Sequence, residues 1–262
     1  MGASSTGSAI GGIVYPILFK QLQPRVGFGW ATRVLALILL ATSLVPIFVM
    51  KSKAPPRLTR NLIIDRSVFR DAPYLFFSLG LFFGMMGFYV VFYYIELLAL
   101  ARTSISPSLA GYLLVIINAS SLPGRLIPGY YADKIGSINV QASITFAGAV
   151  LTLCLLAIRT TAGVVVFSVL YGFMAGAFTG LPAAGIVSLS PDKSKIGTRL
   201  GMTLAFVGFG VLVSNPIAGT IVGESRNWVG LTVWCGVLLS TSFASLVVSR
   251  VLKVGPGLNK VL

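Results

Sequence analysis

Few side chains in this sequence are equipped for chemistry, and one of them stands where a charge is costly to hold. Arg125 lies inside the apolar stretch 109–132, directly after Pro123-Gly124, with no acidic residue within a helical turn of it. Holding a guanidinium at that depth costs about 2.5–3.5 kcal/mol on insertion scales, so such groups face a bundle interior or an aqueous cavity and mark a solute pathway. The structural alternative is an Arg that snorkels to the interface. Its place several residues before the end of the stretch, on backbone interrupted by Pro123, favours the pathway. The planar fork suits an anion, because it grips a carboxylate through two parallel hydrogen bonds without losing its charge. Asn118, two turns earlier on roughly the same face, is the polar group placed to help it.

Other chemistries lack their parts. The chain has no His, so neither a Ser-His-Asp triad nor a His-bearing zinc site can be built. Cys154 and Cys235 fall in separate apolar stretches and read as small packing residues, not as a disulfide or a metal site. Of the six acidic residues, Asp65, Asp71, Asp133 and Asp192 belong to loops, Glu224 lies outside the apolar stretches and Glu96 sits near the end of one. No pair of carboxylates occupies the membrane, and Gly208-Phe209-Gly210 lacks the third Gly and the preceding strand of a dinucleotide loop. No enzyme, cofactor or metal is expected.

The elements that must position Arg125 are set by composition. The chain of 262 residues is 56% hydrophobic and 10% charged, with mean hydropathy +0.92. Apolar runs long enough to cross about 30 Å of hydrocarbon recur along its length. The expectation is an all-α polytopic transmembrane bundle with eight spans, at 3–19, 32–50, 73–99, 109–132, 140–158, 164–189, 199–222 and 228–251. Strands of a membrane barrel would instead alternate over short segments. The net charge of +14 reports orientation and contact with lipid headgroups, not nucleic acid. Thirteen of the twenty basic residues fall on the side that holds loop 51–72 and the C-terminus, six fall on the other, and Arg125 is the remaining one. The positive-inside rule then places that loop and both termini in the cytoplasm.

Loop 51–72, with Pro55-Pro56 and most of the basic cluster, separates two spans in 1–50 from six in 73–262. A basic linker before six spans is where two six-helix halves of a twelve-span transporter would join, which leaves four helices unaccounted for before residue 1. Met1-Gly2-Ala3-Ser4-Ser5-Thr6 fits an acylation pattern, but packing of a small-residue helix explains it better. No cleavable signal peptide is visible, and the sequon at Asn118 lies within a span. Gly172, Gly176, Gly180 and Gly80, Gly84 recur every four residues and predict close helix contacts. Pro123, Pro128, Pro182 and Pro216 predict bends.

Gly129-Tyr130-Tyr131-Ala132-Asp133-Lys134-Ile135-Gly136 resembles the G-x-x-x-D-[RK]-x-G signature of the major facilitator superfamily. Gly7-Ser8-Ala9-Ile10-Gly11-Gly12-Ile13-Val14-Tyr15-Pro16 is similar to the glycine-rich fifth helix of that family. Asn215-Pro216-Ile217-Ala218-Gly219 is similar to the end of its eleventh. With Gly27-Phe28-Gly29-Trp30-Ala31-Thr32-Arg33, these stretches resemble fungal monocarboxylate-transporter-like members from the fifth helix to the twelfth.

The resemblance implies transport of a small organic anion by alternating access in a plasma or vacuolar membrane, with a non-transporting truncated protein as the alternative. It implies that Arg125 meets the substrate carboxylate and that Tyr89, Tyr93, Phe173 and Phe178 line the cavity with Asn118, Phe178 being preferred. Gly129, Asp133, Lys134 and Gly136 become gating residues, with Asp133 set against the N-terminal end of the first span near residues 2–5. The family's Asp one turn before the Arg is here Ser121, which implies a guanidinium left unpaired for an incoming carboxylate. Asn215 is expected to be either a polar cavity group or a satisfied helix–helix contact, the latter being preferred.

Overall fold

Helix α1 shows how local propensity settled the first departure from expectation. In the computed structural model, which describes residues 2–49 and 64–255 with side chains from residue 7 onward, α1 runs from Gly2 to Val49. The loop expected at 20–31 is mostly helix. Lys20, Gln21, Leu22, Gln23 and Arg25 are strong helix formers, so the turn pattern continues until Gly27, where φ 77° and ψ 165° leave helical space. Only glycine adopts that conformation without strain. The rings of Phe19 and Phe28 meet edge to face at 5.9 Å, whereas nine residues of straight helix would set them about 13.5 Å apart along the axis. The chain therefore bends at Gly27. Either side remains a segment of about the 20 residues that a crossing needs. Among the described residues there are thus seven long apolar helices, not eight, the first carrying two span-length segments.

Of the expected linker, residues 50–63 lie outside the described residues. Its last part is ordered by two carboxylates. Asp65 caps a 3-10 turn at Arg66–Arg70 by accepting the Ser67 N–H at 3.1 Å, and Asp71 accepts the Tyr74 N–H at the start of α2 (Ala72–Arg102). A short α3 (Pro107–Ala110), capped by Ser106, leads into α4 (Leu113–Ile135). Gly136, at φ 91°, ends α4 and starts α5 (Ser137–Cys154) in one residue, its N–H bonded to the Ala132 carbonyl at 3.0 Å. The expected span 164–189 is two helices, α6 (Thr161–Gly180) and α7 (Pro182–Leu189), because Pro182 has no N–H to continue the ladder. After a 3-10 turn at Lys193–Lys195 come α8 (Ile196–Val222) and α9 (Trp228–Val254). No strand occurs among the described residues.

Because lipid is as apolar as leucine, close contact and hydrogen bonds hold these helices together. The most extensive interfaces are α4 on α6 and α2 on α9. In the first, Gly176 lies on the Ser121 backbone, Gly172 on Ile117 and Ser120, and Gly124 on the Phe173 carbonyl, as the glycine spacing predicted. In the second, Gly80 and Gly84 admit Leu246 and Ser242. Helix α2 accepts hydrogen bonds from side chains of other described helices on four carbonyls: Pro73 from Ser249 (2.6 Å), Gly80 from Ser242 (2.6 Å), Met86 from Ser214 (3.1 Å) and Phe88 from Tyr171 (3.1 Å). Such bonds contribute about 0.6 kcal/mol each in a membrane. Phe77, Phe88, Phe167, Tyr171 and Phe178 fill the interior between them.

Candidate functional site

Arg125 sits on the face of α4 that meets α1. Its Nη1 donates to the Ser8 hydroxyl, so the guanidinium is engaged, not unpaired as Ser121 had implied. Ser121 is buried and turned away from that charge, donating to the Asn118 carbonyl at 2.7 Å. Asn118 also faces α1. Its side chain lies against Gly12 where a Cβ would otherwise stand, and its Nδ2 donates to the Leu114 carbonyl at 2.9 Å. A second polar tether joins α1 to α3 and the start of α4 further along. Lys20 donates to the Ser108 carbonyl at 3.1 Å, lies 4.2 Å above the Tyr112 ring and flanks Gly111 together with Glu96. Serine 8 and Lys20 were missed in the sequence because Ser8 reads as one more small residue and Lys20 as a loop charge.

On the other side of Arg125 is a cleft of about 300 Å³, at the small end for ligand sites. Leu126, Gly129, Tyr130 and Asp133 line it from α4, Gly180 and Leu181 from the end of α6, and Ala184 from α7. Tyr89 stacks with Phe92 at 5.9 Å and meets the Tyr93 ring at a tilt, 6.4 Å away. Tyr93 is exposed. Phe173 is half-buried, its backbone against Gly124, the residue before Arg125. A fixed cation with aromatic and hydroxyl neighbours can hold a carboxylate and the apolar body behind it.

One candidate side chain lies apart from the cleft, and one expectation needs correcting. Phe178 is 0% exposed and packs on the Phe88 ring at 5.0 Å and against Gly84, inside the six-helix bundle and away from the cleft. Its ring is part of the core packing, while the Phe173 backbone contacts the residue before Arg125. Asn215 is not satisfied: its Oδ1 is buried, and no donor among the described residues reaches it. The signature residues gather at the end of α4. Asp133 is exposed on the cleft, Gly129 has open space above it, Lys134 lies 4.4 Å over the Tyr130 ring, and Gly136 makes the turn. The side chains of residues 2–5, against which Asp133 was expected to lie, fall outside those described.

The same end of the bundle holds a network that sequence reading passed over. Arg199, 4% exposed at the start of α8, donates through Nη1 to Asp71 Oδ2 at 2.7 Å, and its Nε lies 3.6 Å from Asp65 Oδ2. Lys195 reaches Asp65 Oδ1 at 3.3 Å. The Tyr74 hydroxyl donates to the Arg199 carbonyl at 2.7 Å and shares a 2.6 Å bond with the Thr203 hydroxyl. The Ser67 hydroxyl, then the burial it opposes, then Lys195 act on the Asp65 carboxyl, with a net pull below its ordinary range. The one signal was an acid immediately before one span and a base at the start of another, more than a hundred residues apart.

The long apolar helices, tied at one end by the Arg199 ion pairs and bordering the cleft beside Arg125, mark a multi-pass membrane protein. Residues 1–214 match the Major Facilitator Superfamily, and the chain belongs to it. The MFS-type transporter dbaD of Emericella nidulans is 44% identical over 239 residues, covering 90% of this chain and 54% of that protein. The aspyridones efflux protein apdF of the same organism is 32% identical over 240 residues, covering 91% and 49%. The chain therefore spans about half the length of these relatives. The E. coli fucose:proton symporter FucP shares the fold at TM-score 0.64 with 12% identity, over 84% of this chain and 54% of that one.

Proposed function

We propose that this chain takes part in moving a small organic anion of the monocarboxylate type across a membrane by alternating access. On this reading α1 and the six-helix part α2–α9 correspond to the fifth to twelfth helices of a twelve-helix transporter. The supporting observation is Arg125, a cation deep in a span that borders both the α1 seam and an open cleft. Tyr89, Tyr93, Phe173 and Asn118 form the surroundings of the anion. Gly129, Asp133, Lys134 and Gly136 act at the gate, where a carboxylate on a helix junction answers the positive end of a facing helix. Both termini and the 51–72 segment face the cytoplasm.

The test is binding of a labelled monocarboxylate to the purified chain in lipid nanodiscs. Arg125→Ala removes the paired charge and lowers affinity by more than about thirtyfold, the lower edge of what truncating one partner of a buried charge pair costs. Arg125→Lys keeps the charge, loses the fork and costs roughly tenfold. Unchanged binding in Arg125→Ala ends the proposal. A second reading, export in place of uptake, is supported by the name of the relative apdF. Counterflow from preloaded vesicles separates the two directions.

A further inference from the structure

The break between α6 and α7 is served from outside its own helix. Pro182 has no N–H, so the carbonyl four residues earlier, that of Phe178, loses the donor a continuous helix would supply. In hydrocarbon an orphaned carbonyl must find another partner, and neighbouring helices are the usual source. Here the donor is Gln141 of α5, whose Nε2 lies 3.1 Å from the Phe178 oxygen. Gln141 is 0% exposed, and its Oε1 has no hydrogen-bond partner among the described residues. An apolar residue of similar size would avoid that cost, so the amide is present for the bond it donates. One turn earlier on the same face of α5, the Ser137 hydroxyl meets that of Ser188 in α7 at 3.4 Å. Helix α5 thus touches both sides of the break.

The segment so held is the α6–α7 wall of the Arg125 cleft, where Gly180, against the Arg125 stem, Leu181 and Ala184 stand. We propose that Gln141 is a positioning residue for that cleft: it replaces the donor missing at Pro182 and holds the α6–α7 break in the shape that sets the wall beside Arg125. That the cleft binds an anion rests on the function proposed above, but the clamp itself does not require a ligand.

The experiment reads the wall directly. A thiol is introduced by Ala184→Cys in a Cys154→Ser background, Cys235 being buried, and its labelling rate by a water-soluble maleimide is followed in nanodiscs. With Gln141→Leu the Phe178 carbonyl turns to water for a donor, the break opens, and labelling accelerates at least threefold. Pro182→Ala restores the N–H within the helix, so Gln141→Leu added to it leaves the rate unchanged. Equal acceleration in both backgrounds, or none in either, overturns the proposal. If Gln141→Leu fails to fold, recovery of folded protein in the double variant supports the clamp and no recovery refutes it. Monocarboxylate binding measured in parallel keeps the two readings apart: absent binding with the coupled labelling pattern sinks the anion reading and leaves the clamp standing.

Discussion

Arg199 offers the sharpest test of how the linker end is held. Its side chain is 5% exposed and bonds Asp71 at 2.7 Å, with Asp65 at 3.6 Å. Replacing it by Met keeps the volume and removes the charge, which leaves two carboxylates facing a site built for a cation. Truncating one partner of a buried pair costs about 3–5 kcal/mol. Lys195 still serves Asp65 at 3.3 Å, and the Asp71 side chain is 21% exposed, so the lower edge applies. For a chain of this size each kcal/mol shifts the melting midpoint by about 2–4 °C, so Arg199→Met should melt roughly 6–12 °C lower. The assay is a thermal melt in detergent micelles, read by tryptophan fluorescence. Adding Asp71→Asn to Arg199→Met removes the orphaned charge as well and should recover at least half of the loss. If the single variant melts within about 2 °C of the parent, or the second substitution deepens the loss, the network does not hold the linker end.

Asp65 sets an acid limit. Its folded pKa lies below the unfolded value of 3.8, so its contribution is whole above that pH and disappears as pH falls through the lower, folded pKa; Asp65→Asn should flatten the acid limb of a melting curve measured from pH 6 to pH 3. Gly176→Ala would put a Cβ 2.7 Å from the Ser121 Cα, a backbone contact that cannot yield, and should cost about 1–3 kcal/mol in the same melt, while Gly201→Ala, with open space, should cost nothing. A cysteine in place of Lys193, in the Cys154→Ser background, should resist an impermeant thiol reagent in intact cells and react once they are opened, because the basic count assigns that end to the cytoplasm; labelling in intact cells reverses the topology.

Membrane-crossing helices were legible because their length and apolarity are written in consecutive residues, and the glycine repeats marked close helix contacts without naming the partner helix. The break at Gly27 was misread as a loop because Lys20 and Arg25 look like loop charges, although both are good helix formers. Faces were the harder problem. A helix surrounded by lipid and protein is apolar all round, so nothing local separates Phe173, beside the cleft, from Phe178, in the core. Arg125 was conspicuous by depth alone. Its partner Ser8 is ordinary, and the two are joined only by folding, as are Arg199 with Asp71 and Gln141 with a carbonyl made needy by a proline in another helix.

The glycine contacts between α4 and α6 have a mechanical side. Gly172 and Gly176 seat one backbone on the other, and Gly124 answers from the opposite helix, so at these positions no side chain longer than that of Ser120 lies between the two ladders. Side chains are springs, and removing them leaves a joint of low compliance. Arg125, one residue beyond Gly124, is therefore mounted on a two-helix beam, and a tilt of α6 reaches the guanidinium undamped. The soft element in that assembly is the proline break beneath it, so bending concentrates there while the beam keeps its shape.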